Sequence, residues 1–96
     1  MQADGFEWDD AKAQSNFSKH GVTFGEAATV FSDPLAVSYP DPDHSLDEDR
    51  YLLIGASAGG RTLIVSHTDR GDSIRIISAR EATRREQKGY EDGTFP

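Results

Sequence analysis

An arginine in the middle of an isoleucine-rich run, Ile74-Arg75-Ile76-Ile77, must find a carboxylate, a phosphate or water, because its charge cannot be buried unpaired. A structural salt bridge and a phosphate site both satisfy that demand. Farther on, Arg80, Arg84 and Lys88 recur at i, i+4 spacing with Arg85 beside them, which on a helix makes a basic rail. Such a rail is either a solvated face laced by pairs such as Glu81–Arg85 or a surface for a polyanion. Three histidines complete the chemical inventory. His20 falls at the end of an expected helix, where the negative end of the backbone dipole suits a cation, so it serves either as an acid or as a cap for carbonyls. His44 lies in the acidic run Pro-Asp-Pro-Asp-His-Ser, whose spacing matches no strong metal motif. His67 is expected on the core side of a strand as a satisfied structural residue. No P-loop, dinucleotide fingerprint or nucleophile elbow is present.

The elements that must position these groups follow from apolar periodicity and caps. Phe6-Glu7-Trp8 alternates as a short strand, and Asp9 or Asp10 caps a helix from about Ala11 to Gly21. That helix is expected to bury Ala13 and Phe17, and to carry Lys12, Asn16, Lys19 and His20 as a polar stripe. Thr23 and Glu26 form a capping box for a second helix, Phe24 to about Phe31, which Asp33-Pro34 ends. Leu35 to Tyr39 reads as a strand, and Pro40 to Asp49 as an acidic loop. Tyr51–Ala56, Thr62–Thr68 and Ser73–Ser78 read as an antiparallel meander with turns at Ser-Ala-Gly-Gly and Asp-Arg-Gly-Asp. A second box, Ser78 with Glu81, is expected to open a final helix that Gly89 weakens.

The expected architecture is therefore α+β, in the order βααββββα, with an antiparallel sheet, two N-terminal helices on one face and a C-terminal helix. A two-residue Arg70-Gly71 turn would pair Thr68 with Ser73 and Ser66 with Arg75. In that register Leu52, Ile54, Leu63, Val65, Ile74 and Ile76 face the helices. Tyr51, Leu53, Ile64, Ser66, Arg75 and Ile77 take the other face, where Tyr51, Ser66 and Arg75 line a groove beside the last helix.

Composition sets the outer limits. Ninety-six residues give one domain, 1–96, of roughly 12–13 Å radius. No apolar stretch approaches the ~20 residues that span a bilayer. The first residues lack the pattern of a signal peptide, and there is no cysteine, so a cytoplasmic location is expected and thiol chemistry is excluded. The net charge of −7 argues against a simple nucleic-acid binder, yet its distribution is uneven. Residues 1–49 hold two basic and eleven acidic side chains, and residues 50–88 hold eight basic and four acidic. The second segment is where a polyanion would bind, unless the asymmetry is only an ordinary solvated surface.

Beside this reading stands a resemblance. Phe6-Glu-Trp-Asp-Asp-Ala-Lys, then Asn16, Lys19-His20-Gly21-Val-Thr-Phe, Glu26-Ala27-Ala28 and Val30-Phe31, is similar to the N-terminal signature of the BrnT family. Asp33-Pro34, Asp43-His44-Ser45, Glu48-Asp49-Arg50, Leu53-Ile54-Gly55 and Ile74-Arg75-Ile76-Ile77-Ser78-Ala79-Arg80 resemble the family's later blocks in the same order, so the similarity spans about residues 6–90. The resemblance implies a RelE-like fold and an RNA-cleaving toxin that stops translation. It also implies neutralisation by a BrnA-like ribbon-helix-helix antitoxin, with promoter DNA touched only through the complex.

Metal-free RNA cleavage needs a base for the 2′-hydroxyl, cations for the crowded phosphorane and an acid for the departing 5′-oxygen. Arg75 and Arg80 are the candidates for a cationic clamp, and Glu48 or His20 for proton transfer. Lys12, Lys19, Arg50 and Arg84 would guide the RNA strand. No cofactor or metal is expected. The clamp requires both guanidinium groups to converge on one phosphate-sized site, and an internal ion pair at each would contradict it. Two other readings are a toxin-fold interaction module or co-repressor without catalysis, which the acidity favours, and a DNA-binding regulator, which the lack of a recognition-helix motif disfavours.

Overall fold

Each helix begins where a polar side chain satisfies otherwise unpaired backbone donors. In the computed structural model, which describes residues 2–3 and 5–95, the Asp9 carboxylate accepts from the N–H groups of Ala11 and Lys12 and starts α1 (Asp10–His20). Gly21 ends α1 in the left-handed region at φ +68°, which an L side chain adopts only with strain. Thr23 caps α2 (Phe24–Thr29), and a 3₁₀ turn over Val30–Ser32 continues it.

The strands are β1 (Gln2–Ala3), β2 (Phe6–Glu7), β3 (Val37–Pro40), β4 (Tyr51–Ala56), β5 (Thr62–Arg70) and β6 (Ser73–Glu81). They form one open sheet in the order β1-β2-β6-β5-β4-β3. The pairing is antiparallel except between β2 and β6, which run parallel with Phe6 opposite Ile74 and Glu7 opposite Arg75. The last helix, α3, spans Arg84–Asp92. The α+β order holds, with β1 added in front, and the radius of gyration is 12.6 Å.

The register differs from the sequence expectation in three ways. Arg70 pairs with Ser73, so Gly71-Asp72 is the turn, and Thr68 rather than Ser66 lies opposite Arg75. Between Ser66 and His67 the ladder slips, giving Ser66↔Ser78 but His67↔Ile76, so Ile77 is the extra residue of a bulge. Strand β4 is also offset: Leu53 pairs with Val65 and joins the helix-facing core, whereas Leu52 and Ile54 take the opposite face. That core consists of Val22, Phe24, Ala27, Val30, Leu53, Leu63, Val65, Ile76 and Ala79.

Tyr51 follows Leu53 to the helix side and stacks on His67 at 5.8 Å, with Phe31 edge-on to His67 at 4.9 Å and Phe6 against Phe31 at 5.1 Å. His67 thus faces the core as expected, but it is not satisfied. Neither ring nitrogen has a hydrogen-bond partner among the described residues.

Two expectations about helices are corrected. Helix α1 lies along the free edge of β6 and buries Asn16, leaving Phe17 54% exposed in a shallow groove with Trp8, Ala13 and Phe24. Helix α3 starts six residues beyond Ser78, capped by Thr83 with Glu86 rather than by Ser78 with Glu81. Strand pairing wins at Ser78–Glu81, because Arg80 and Glu81 continue the ladder opposite Ile64 and Leu63.

Candidate active site

Alternation along β4, β5 and β6 puts Leu52, Ile54, Ile64, Ser66, Thr68, Arg75 and Arg80 on the face away from α1 and α2. Helix α3 crosses one end of that face without burying any of its own residues. Among the described residues, Arg80 holds it at Glu86 and Asp33 at Tyr90, and just beyond its end the ring of Phe95 tilts against Tyr39, 5.3 Å away. The rest of the face stays open, and a cavity of about 240 Å³ lies there, lined by His20, Leu52, Ile64, Ser66, Ser78, Ala79 and Arg80.

The structure therefore brings His20 and Arg80 together. His20 reaches the cavity from the exposed C-terminal end of α1, and Arg80 from β6. Arg80 donates to both oxygens of Glu86, at 2.8 and 3.0 Å. This fork-to-fork pair, opposed by partial burial and helped by the Thr83 N–H, holds the Glu86 carboxyl down at about 2. The same pair raises the Arg80 guanidinium above its ordinary range.

Arg75 is elsewhere on the face. Its guanidinium donates to Glu7 at 2.7 Å, because the parallel pairing of β2 with β6 sets the two residues side by side. The groove expected from Tyr51, Ser66 and Arg75 is not formed, since Tyr51 faces the helices and Arg75 does not line the cavity. Convergence of Arg75 and Arg80 on one phosphate-sized site is likewise not found. Each already holds a carboxylate, placed by strand register in one case and by a capping box in the other.

Glu48 and Arg50 line a second cavity of about 240 Å³ with Asp43, His44, Leu46 and Asp47. Glu48 lies 3.9 Å from Arg50 and 3.5 Å from Arg70. His44 contacts Asp41 at 2.9 Å, and no cluster fit for a metal ion occurs among the described residues. The two cavities are neighbours along the chain, Arg50 lining one and Leu52 the other.

Lys12, Lys19, Arg84 and Arg85 are exposed, with no ion-pair partner among the described residues. Lys19 adjoins His20, and Arg84 opens the helix that carries Glu86. The residue that sequence reasoning placed only in a polar stripe is Asn16. Its buried carboxamide accepts from the Ala79 N–H at 3.0 Å and donates to the carbonyls of Ala79 and Val22 at 2.8 and 3.0 Å. An asparagine inside an amphipathic helix pattern, four residues before a helix-ending histidine, was the available signal.

Among the described residues, no helix is long and apolar enough to cross a membrane. Comparison with known proteins gives likenesses of three kinds, to a family, to a solved structure and to a curated relative. The family model described as the ribonuclease toxin BrnT of type II toxin–antitoxin systems matches residues 8–86. The crystal structure of the Brucella abortus ribonuclease toxin BrnT superposes with a TM-score of 0.65 at 27% identity, covering 82% of this chain and 96% of that one. A Carboxydothermus hydrogenoformans protein named "Probable transcriptional regulatory protein" is 36% identical over 70 residues, or 69% of this chain. The match spans 27% of the length of that relative.

Proposed function

Because the chain belongs to the BrnT family of type II toxin–antitoxin ribonuclease toxins, we propose that it cleaves RNA without a metal ion and thereby inhibits translation. The antitoxin that neutralises it is a BrnA-like ribbon-helix-helix protein, and promoter DNA is touched only through that complex. The observation that carries the catalytic reading is the meeting of His20 and Arg80 in one cavity on the uncovered sheet face.

In the reaction, the 2′-oxygen attacks phosphorus and the bond to the 5′-oxygen breaks, leaving a 2′,3′-cyclic phosphate and a 5′-hydroxyl. One proton leaves the 2′-hydroxyl and one joins the departing oxygen, so the step is balanced. His20 supplies the proton to the leaving group. Glu48 lines a separate cavity, so the proton of the 2′-hydroxyl passes to solvent water rather than to that carboxylate. Arg80 stabilises the phosphorane after the RNA phosphate replaces Glu86, since both ligands offer two oxygens to the same planar fork. Arg75 stays paired with Glu7 outside the cavity, and Lys12, Lys19, Arg50 and Arg84 guide the strand.

The test is purified protein on RNA with EDTA present. Cleavage is expected to persist, and to fall by about 10²-fold or more in His20→Ala and Arg80→Ala. Intact RNA, or unchanged cleavage by the Arg75→Ala/Arg80→Ala double variant, rejects the scheme.

One observation favours a second reading, a non-catalytic module or co-repressor acting through its antitoxin. Both Arg75 and Arg80 are neutralised internally. Induction of the chain alone in bacteria separates the two: growth arrest reversed by the antitoxin supports the toxin, and harmless expression supports the module.

A further inference from the structure

We infer that Asn16 is a positioning residue that sets His20 against Arg80; the inference rests on the reading of their shared cavity as the RNA-cleaving site. Strand β6 has β5 on one side, but its other side pairs with β2 only at Ile74 and Arg75. At Ala79 the backbone N–H and C=O therefore reach a free edge, which needs a partner carrying one donor and one acceptor. A primary carboxamide carries that pair of groups at the spacing of a peptide, and Asn16 supplies it from α1.

Its third bond gives the contact a role beyond closing an edge. The second amide hydrogen goes to the carbonyl of Val22, just past the Gly21 turn that ends the helix at His20. Asn16 thus grips the backbone one residue before Arg80 and two residues after His20, with both amide hydrogens and the oxygen engaged. The brace is buried, with Asn16 only 7% exposed, so water cannot substitute for a lost bond without opening the α1–β6 contact. Aspartate at this position would keep the bond from Ala79 N–H but would turn a carboxylate toward two carbonyl oxygens. Serine would be too short to span them.

Misplacement of a reacting group by about 1 Å costs on the order of 10²-fold in rate. Asn16→Asp and Asn16→Ser, each checked for folding by circular dichroism and thermal melting, are expected to lower kcat on an RNA oligonucleotide by about that factor. KM is expected to stay within about twofold, because the strand-guiding cations are untouched. A second readout uses inorganic phosphate as the probe, followed by nuclear magnetic resonance of the His20 ring and the Arg80 guanidinium. In the unaltered protein both signals respond together; in either variant Arg80 responds and His20 does not.

A folded variant with unchanged kcat and a joint response overturns the role assigned to Asn16. Unaltered protein that neither cleaves RNA nor shows the joint response overturns the active-site reading itself, and this inference with it. The behaviour of the unaltered protein therefore tells the two failures apart.

Discussion

His67 carries an unmet electrostatic cost in the core. It is 7% exposed, lies between Phe31 and Tyr51, and has two ring nitrogens without partners among the described residues. Burial pushes its ring below the ordinary value of 6.5, only partly offset by the charge of Asp69. The unfolded chain therefore binds the proton more readily, and stability is full above pH 6.5 and declines as pH falls below it. His67→Leu is expected to raise unfolding stability by about 1 kcal/mol at pH 6 and to flatten this dependence. Urea titrations at pH 5.5, 6.5 and 7.5 check both. An unchanged slope with pH would show that another group titrates. The strand's alternation put His67 on the core side, yet its neighbours come from β4 and the turn after α2, which no local pattern in Thr62–Thr68 specifies. Asn16 was hidden for a related reason: its partners at Ala79 are 63 residues away.

Helix α3 is held to the sheet by side chains rather than by a buried face. Asp33 is its anchor. Partial burial works against ionisation of that carboxylate, but hydrogen bonds from Tyr90 and from the N–H groups of Ala56 and Leu35 outweigh it and lower its titration. Glu86, lowered to about 2 chiefly by Arg80, keeps its contribution above pH 4.5 and loses it as pH falls through about 2. Glu86→Gln preserves the acceptor for the Thr83 N–H but removes the charge pair, and at pH 7 it is expected to weaken α3 docking by about 1 kcal/mol, since Arg80 is partly solvated. Amide hydrogen exchange within Arg84–Asp92 measures it: protection there should drop roughly fivefold, while that of β5 stays constant. The helix itself was readable from its charged periodicity, but its start was not. Two S/T-x-x-E boxes lie five residues apart, and only the length of β5 decides between them. The same limit applies to the register, where the bulge at Ile77 shifts one half of β6 against the other without any glycine or proline to announce it.

Across the molecule, folding pairs the acidic first segment with the basic second one. Glu7 meets Arg75, Glu26 meets Arg61, and Glu48 meets Arg50 and Arg70. The polyanion surface suggested by composition is therefore largely spent inside the fold, leaving Lys12, Lys19, Arg84 and Arg85 without an ion-pair partner among the described residues. Four such cations predict single-stranded RNA affinity that falls with salt at a log–log slope of about −3. The Lys19→Ala/Arg84→Ala double variant should reduce that slope by about half, as fluorescence anisotropy at several salt concentrations would show. The order of the strands was the least readable feature, because nothing in Phe6-Glu7-Trp8 reveals that its neighbour is β6. That adjacency has a temporal consequence. Phe6 and Glu7 find their parallel partners only when the ribosome has passed Ile74 and Arg75, and Arg80 comes later still. The complete sheet, and the meeting of His20 with Arg80, therefore wait until synthesis has passed Arg80.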